Sequence, residues 1–255
     1  MTLAPLLRLD GRRALVTGAA RGMGRAIAEA LAEFGADVAV HDVDAASCAG
    51  TVAAVRGFGR RSVAIGAPFG EPDAVARTVG AADAALGPID ILVSTVAVQT
   101  RTAYDRVTGE DFDRTVAINL AAFLDLVQRT APGMVSRGWG RILAVGSVQQ
   151  VRPHPEMIVY AATKAAQANM VRNLAGQFAA SGVTVNNLAP GVFTTERNAA
   201  ALADPAYRAK VLDAIPARAF ADPIDIAGAA LLLCSDAGRY VTGADVPVDG
   251  GLGLP

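Results

Sequence analysis

The sequence predicts a single α/β domain, a doubly wound and mainly parallel sheet with helices on both faces. Three observations lead there. Short apolar runs of strand length alternate with longer segments of helical periodicity along the whole chain. Several strand candidates are apolar on nearly every residue, as expected when both faces of a parallel sheet are covered. The 255 residues contain no internal repeat, linker or low-complexity tract, which fits one domain over 1–255.

The elements follow in order. Arg13–Thr17 (RALVT) reads as a buried strand. Gly22–Phe34 reads as a helix, because Met23, Ile27, Ala30, Leu31 and Phe34 recur at helical spacing and Gly35 supplies a stop. Asp37–His41 is the next strand, Asp44–Val55 a helix and Ser62–Ile65 a strand. Glu71–Leu86 is helical up to Gly87-Pro88, and Ile89–Val93 is a strand. Gly109–Val135 is a long helical stretch with an interruption expected at Pro132. Arg141–Val145 (strand), Met157–Ala180 (helix), Val183–Leu188 (strand), Ile224–Cys234 (helix) and Asp245–Val248 (strand) complete a seven-stranded sheet. Thr194–Ala221, with Pro205 and Pro216, carries only helix-like pieces and reads as a mobile flap over a site or as a surface excursion.

Composition narrows the function classes. Hydrophobic residues make up 52% and charged residues 18%, enough apolar surface to offset the entropy of ordering the chain. Lys plus Arg number 23 against 24 Asp plus Glu, with no dense basic run, so no nucleic-acid partner is expected. Met1–Arg13 has no long apolar stretch of the signal-peptide kind, and the apolar run Ala227–Cys234 is too short to span a bilayer. Cys48 and Cys234 lie in helix-like segments without metal-ligand spacing, and His154 has only His41 as a fellow histidine. No metal is expected, and a reduced, cytoplasmic setting is.

Thr17-Gly18-Ala19-Ala20-Arg21-Gly22-Met23-Gly24 lies between the first strand and the first helix. Gly18 suits a tight turn, Gly22 a close approach of backbone to a pyrophosphate, and Gly24 close helix-to-sheet packing. The helix N-terminus adds free amides and partial positive charge for phosphates. Asp42 ends the second strand, 18 residues after Gly24. A carboxylate there accepts from the ribose 2′-hydroxyl of NAD(H) and repels the 2′-phosphate of NADP(H). Alternatively, Asp42 or Asp44 is a helix N-cap. NAD(H) is the expected cofactor, and Arg21 beside the cradle keeps NADP(H) open.

Tyr160-Ala161-Ala162-Thr163-Lys164 lies in a helix, and the spacing of four puts Tyr160 and Lys164 on one face. An ammonium beside a phenol favours phenolate and suits general acid–base work. Ser147 follows a strand, at the carboxyl end where open α/β sheets bind ligands, and can hydrogen-bond a substrate carbonyl. The plain alternatives are a helix surface pair and a loop cap.

Taken together, TGAARGMG, Asn119 in VAINLAAF, Ser147 in VGS, YAATK, Pro190-Gly191 in NNLAPG and VTGADVPVDGG resemble the short-chain dehydrogenase/reductase family, from about Asp10 to Gly251. The resemblance implies a Rossmann-type oxidoreductase that moves a hydride between a nicotinamide cofactor and a carbonyl or secondary alcohol. It implies a tetrad of Asn119, Ser147, Tyr160 and Lys164. Tyr160 would exchange the proton, Ser147 would orient the carbonyl, and Lys164 would hold nicotinamide-ribose hydroxyls and lower the tyrosine pKa. Asn119 would anchor a relay water; its alternative is a buried residue bonding backbone. Pro190, Gly191, Phe193 and Thr195 would hold the nicotinamide carboxamide, with Arg21, Met23 and Ser94 also on cofactor positions. The resemblance also implies a homotetramer, and the apolar tail Gly251–Pro255 is compatible with such an interface.

Two departures touch the adenosine half of the cofactor. Ser94-Thr95-Val96-Ala97 replaces the usual Asn-Asn-Ala-Gly, and Ala67-Pro68-Phe69 lacks the acidic residue that reads adenine. Weakened cofactor binding with intact chemistry is expected. Phe69 either packs near the adenine or is an ordinary core or surface aromatic. Gln149, Arg152, His154, Glu156, Glu196, Arg197 and Asn198 are candidates for contact with a small polar substrate such as a sugar or polyol. Two alternatives stay open: an NADPH-dependent ketoreductase resembling 3-oxoacyl carrier-protein reductases, and a non-catalytic dinucleotide-binding protein.

Overall fold

The computed structural model describes residues 2–254; Pro255, the last residue of the apolar tail, lies outside the described residues. Seven parallel strands form one sheet in the order β3-β2-β1-β4-β5-β6-β7. They are β1 Arg13–Thr17, β2 Asp37–Asp42, β3 Ser62–Gly66, β4 Ile91–Ser94, β5 Gly140–Val145, β6 Val183–Pro190 and β7 Asp245–Val248. Chain order reverses between β1 and β4, and this switch point opens a crevice at the carboxyl ends of the strands.

Alternation along the strands builds two cores. Ala14, Val16, Val38, Val40 and Val93 pack on α2 (Gly22–Glu33), α3 (Ala49–Gly57) and α10 (Ala227–Cys234). Leu15, Leu92, Ile142 and Val185 face the opposite side, against α4 (Ala74–Leu86), α6 (Ala122–Ser136) and α7 (Ile158–Phe178). Both faces are dry, which is why the strands read as continuous apolar runs. A short helix, α1 (Ala4–Leu7), precedes β1.

Several boundaries differ from expectation. A 3-10 turn over Ala46–Cys48 precedes α3, and Asp73 adopts φ 58° before α4, so both helices start later than their periodicity suggests. The expected interruption at Pro132 is corrected: Pro132 lies inside α6, and the irregularity falls upstream. Between α5 (Gly109–Val116) and α6 the helix widens into a π turn over Ala117–Ala121, centred on Asn119. Thr194–Ala221 contains two helices, α8 (Glu196–Leu202) and α9 (Pro205–Ala214), tied back by a Phe193–Ala221 bridge.

Candidate active site

A cavity of about 980 Å³ lies at the switch point, lined from the glycine-rich loop at one end to α9 at the other. Gly18 and Gly22 have φ of 66° and 58°. The resulting turn delivers the chain into α2, whose N-cap Arg21 supplies no side-chain cap, and Gly22, Met23 and Gly24 border the cavity. An uncapped helix start behind a positive-φ turn fits a phosphate-bearing ligand. A Cβ on Gly24 would lie 2.2 Å from the Gly18 carbonyl oxygen, so Gly24 sets how closely α2 sits on the loop.

Asp42 borders the cavity at the end of β2. Its carboxylate accepts from the Ala20 amide (3.2 Å) and the Val43 amide (2.8 Å). Neither Asp42 nor Asp44 is the N-cap, which is Ala45; Asp44, just before it, accepts from the Ser47 amide at 3.1 Å. Arg21 makes an ion pair with Glu196 across the groove.

The altered β4 terminus is rebuilt by Thr95. Its hydroxyl donates to the Thr17 carbonyl (2.6 Å), stitching the strand end to the glycine loop. Ser94, expected on a cofactor position, is instead 4% exposed and off the cavity wall, which Thr95, Val96 and Ala97 form. Strand alternation accounts for the correction: Ser94 falls on the same face as Leu92, the face that α4, α6 and α7 cover. Phe69 stacks on His41, ring centroids 4.3 Å apart, and both border the cavity with Pro68. His41 donates through Nε2 to the Ala67 carbonyl (2.8 Å), and burial pulls its pKa below the ordinary histidine value.

At the other end β5, α7 and the β6 terminus converge. Ser147 follows β5, and its hydroxyl accepts from the Gln149 amide at 3.2 Å. Tyr160 and Lys164 project from the first two turns of α7 and border the same cavity, the ammonium nitrogen 5.9 Å from the phenol ring centroid. Lys164 donates to the Val145 carbonyl (2.7 Å) and the Gln167 amide oxygen (3.0 Å). Burial lowers its pKa to about 7, and the nearby Arg197 charge adds to this. Burial also raises the Tyr160 phenol above its ordinary value, while the Ser147 hydroxyl and the Arg197 charge pull the other way. Desolvation is the largest influence on the phenol and is opposite in sign to the lowering expected from Lys164, which is itself only partly charged near neutrality.

Asn119 is 1% exposed and off the cavity wall. Its amide accepts from the Val98 N–H (2.8 Å) and donates to the Val98 carbonyl (3.0 Å) and the Thr163 hydroxyl (3.1 Å). This is the backbone-bonding arrangement, and it holds the β4–α5 connection against α7.

Pro190, Gly191, Phe193 and Thr195 line the cavity. Gln149, His154, Glu196, Arg197 and Asn198 also line it. Arg152 and Glu156 do not: Arg152 donates to the Leu252 carbonyl (3.0 Å), and Glu156 is exposed. Gln99, Arg101, Met157, Tyr207 and Val211 line the cavity without having been anticipated. Tyr207 and Val211 come from α9, and no local pattern tells a cavity-facing helix residue from a solvated one. Arg101 lies near Tyr207, its Nη1 3.4 Å from the phenol oxygen, joining the β4–α5 connection to α9.

A family model described as enoyl-(acyl carrier protein) reductase matches residues 18–253. Gluconate 5-dehydrogenase of Gluconobacter oxydans (strain 621H) is 33% identical over 252 residues, 99% of this chain and 98% of that protein. The solved gluconate 5-dehydrogenase of Burkholderia cenocepacia J2315, in complex with NADP and tartrate, is 34% identical, with TM-score 0.91 and 98% of each chain covered. The solved 3-oxoacyl (acyl-carrier-protein) reductase of Agrobacterium tumefaciens C58, with NADP bound, is 37% identical, with TM-score 0.93 and 98% and 97% of the two chains covered. With a glycine cradle, a parallel sheet in this order and a Ser-Tyr-Lys cluster in one cavity, the chain belongs to the short-chain dehydrogenase/reductase family and is a nicotinamide-dependent oxidoreductase of CH–OH groups.

Proposed function

We propose that the protein is an NAD(H)-dependent dehydrogenase of a small polyhydroxy compound, with Tyr160 as its general acid–base. The observation that carries this reading is the convergence of Ser147, Tyr160 and Lys164 with the glycine cradle and Asp42 on one cavity. When bound, the nicotinamide supplies or accepts the hydride. Ser147 donates a hydrogen bond to the substrate oxygen. Tyr160 gives that oxygen a proton in reduction, which suits a phenol that burial holds protonated. In oxidation Tyr160 takes the proton back, helped by the Ser147 hydroxyl and the Arg197 charge. Lys164 holds nicotinamide-ribose hydroxyls, and Asn119 positions the Val98 backbone and Thr163. Gly18, Gly22, Met23 and Gly24 hold the pyrophosphate, and Pro190, Gly191, Phe193 and Thr195 hold the carboxamide.

Coenzyme choice follows from charge. Asp42 ends β2 on the cavity wall, where its carboxylate would meet a ribose 2′-oxygen, and Arg21, the cation that would welcome a 2′-phosphate, is paired with Glu196. The NADP-bound relatives favour NADP(H) as the second reading, together with ketoreductase chemistry of the 3-oxoacyl kind. For the substrate, Gln149 and His154 offer hydrogen bonds, while Arg101 and Arg197 line the cavity with no carboxylate partner among the described residues. Unpaired guanidinium groups favour a substrate bearing a carboxylate, such as a sugar acid, over a neutral polyol.

No helix among the described residues is long and apolar enough to cross a membrane. Two free, buried cysteines support a cytoplasmic setting. Exposed Phe112 and Leu124 on the long helix pair, Ile158 on α7 and the exposed edge strand β7 support a homotetramer. The 194–221 segment is proposed to close over the bound cofactor as one unit of the same domain.

The test is a fluorescence titration with NADH and NADPH, followed by turnover of sugar acids and polyols by wild type and Tyr160→Phe. The variant should bind NADH within a few-fold of wild type and lose about 10²- to 10⁴-fold in turnover. Equal turnover by the variant would remove Tyr160 from the role. Absence of turnover across a broad carbonyl and alcohol panel would favour the non-catalytic reading.

A further inference from the structure

Arg21 leaves the glycine-rich loop beside one carboxylate and pairs with another. The Asp42 carboxylate accepts from the Ala20 amide, one residue before Arg21. Among the described residues no ion pair joins Arg21 to Asp42; the guanidinium crosses the groove to Glu196, the first residue of α8. The crossing is short. A Cβ on Gly22 would come within 3.5 Å of the Thr195 methyl, so the loop and the chain leading into α8 lie less than one side chain apart. Arg197 reaches the opposite wall, donating to the Ala97 carbonyl at 3.1 Å. The first turn of α8 thus bridges both sides of the cofactor groove, and Arg21, Asp42, Ala97, Glu196 and Arg197 all border the same cavity.

We propose that Glu196 is a coenzyme-specificity residue that acts through Arg21, holding its guanidinium away from the ribose 2′-position. This rests on the reading that Asp42 selects NAD(H). With Glu196 in place, Asp42 meets the 2′-oxygen uncompensated and repels a phosphate. Without it, Arg21 is free to swing to the carboxylate beside its own backbone. There it neutralises Asp42 and offers a planar fork of donors to a 2′-phosphate. Glu196 therefore changes coenzyme choice without touching the adenosine. The side chains of the pair are 73% and 71% exposed, so the effect is modest and weakens with salt.

The experiment is a matrix of NADH and NADPH dissociation constants for wild type, Glu196→Gln, Arg21→Ala and the double variant, at low and high ionic strength. Glu196→Gln should improve NADPH relative to NADH by about three-fold at low salt, and less at high salt. In the Arg21→Ala background the same substitution should leave the ratio unmoved. A purely structural role would shift both affinities together and leave their ratio at the wild-type value, which would overturn the proposal. The same ratio change with Arg21 absent would also overturn it, since Glu196 would then repel the phosphate directly. The wild-type ratio tests the coenzyme reading separately: a preference for NADPH defeats that reading, while the change on Glu196→Gln still decides the role of Glu196.

Discussion

Two glycines of the cradle, Gly22 and Gly24, should fail in different proportions when changed to alanine. At Gly24 the backbone is helical, so alanine gains about 1 kcal/mol of helix propensity. Its Cβ, however, would sit 2.2 Å from the Gly18 carbonyl oxygen, 2.9 Å from the Gly18 carbonyl carbon and 3.0 Å from the Ala19 Cα. These are backbone atoms and have no rotamer to change. The loop must retreat by about 1 Å, and forced displacements of that kind cost about 1–3 kcal/mol or more. The Gly18 carbonyl also accepts from the Thr95 hydroxyl at 3.2 Å, so the retreat strains the β4 terminus as well. Gly24→Ala should therefore lose up to about 2 kcal/mol net in urea denaturation, and NADH affinity with it.

At Gly22 the nearest atom to a new Cβ is a methyl carbon at 3.5 Å, an ordinary contact, but φ is +58°. Left-handed backbone costs alanine about 1 kcal/mol, and the methyl points towards Thr195, into the space proposed for the pyrophosphate. Gly22→Ala should lose less stability than Gly24→Ala and proportionately more NADH affinity. Calorimetric or fluorescence titration beside denaturation curves separates the two. Wild-type stability in Gly24→Ala, or Gly22→Ala binding NADH as tightly as wild type, would refute the reasoning.

Asn119→Ala removes three hydrogen bonds and leaves the Val98 amide and carbonyl unpaired, so it should cost about 2 kcal/mol in the same denaturation assay; Asn119→Asp, which keeps one acceptor, should restore part of it. Lys164→Met tests the buried amine. Its pKa falls from 10.5 to about 7 on folding, so the unfolded chain binds more protons between those values and wild-type stability rises with pH across that window. Protonating the folded amine is the costly state, so the melting temperature of Lys164→Met relative to wild type should be highest near pH 6 and fall towards about pH 9. A difference constant with pH would mean that Lys164 stays charged in the fold.

The sheet was legible in the sequence because each strand carries its own evidence. Burial on both faces makes Ala14–Val16 and Ile142–Val145 continuously apolar, and the structure begins and ends these strands within two residues of those runs. The cradle was legible for a similar reason: positive φ and close backbone approach exclude side chains, so Gly18, Gly22 and Gly24 record a local steric demand. The Tyr160–Lys164 pairing needed only the pitch of a helix. Sequence periodicity did not distinguish the π turn at Asn119 from continuous helix, nor reveal that Pro132 sits within α6.

What the tertiary structure alone decided depends on residues that other elements bring. The phenol and amine of the site shift their pKa values because β5, α7 and the β6 terminus close around them and remove water. Thr95 rather than Ser94 meets the cavity because β4 ends one residue before it. Arg21 pairs with Glu196, 175 residues away, although Asp42 stands beside its own loop. Local sterics and periodicity are written into neighbouring residues, whereas desolvation and charge act through space and take their values only once the chain has brought distant elements together.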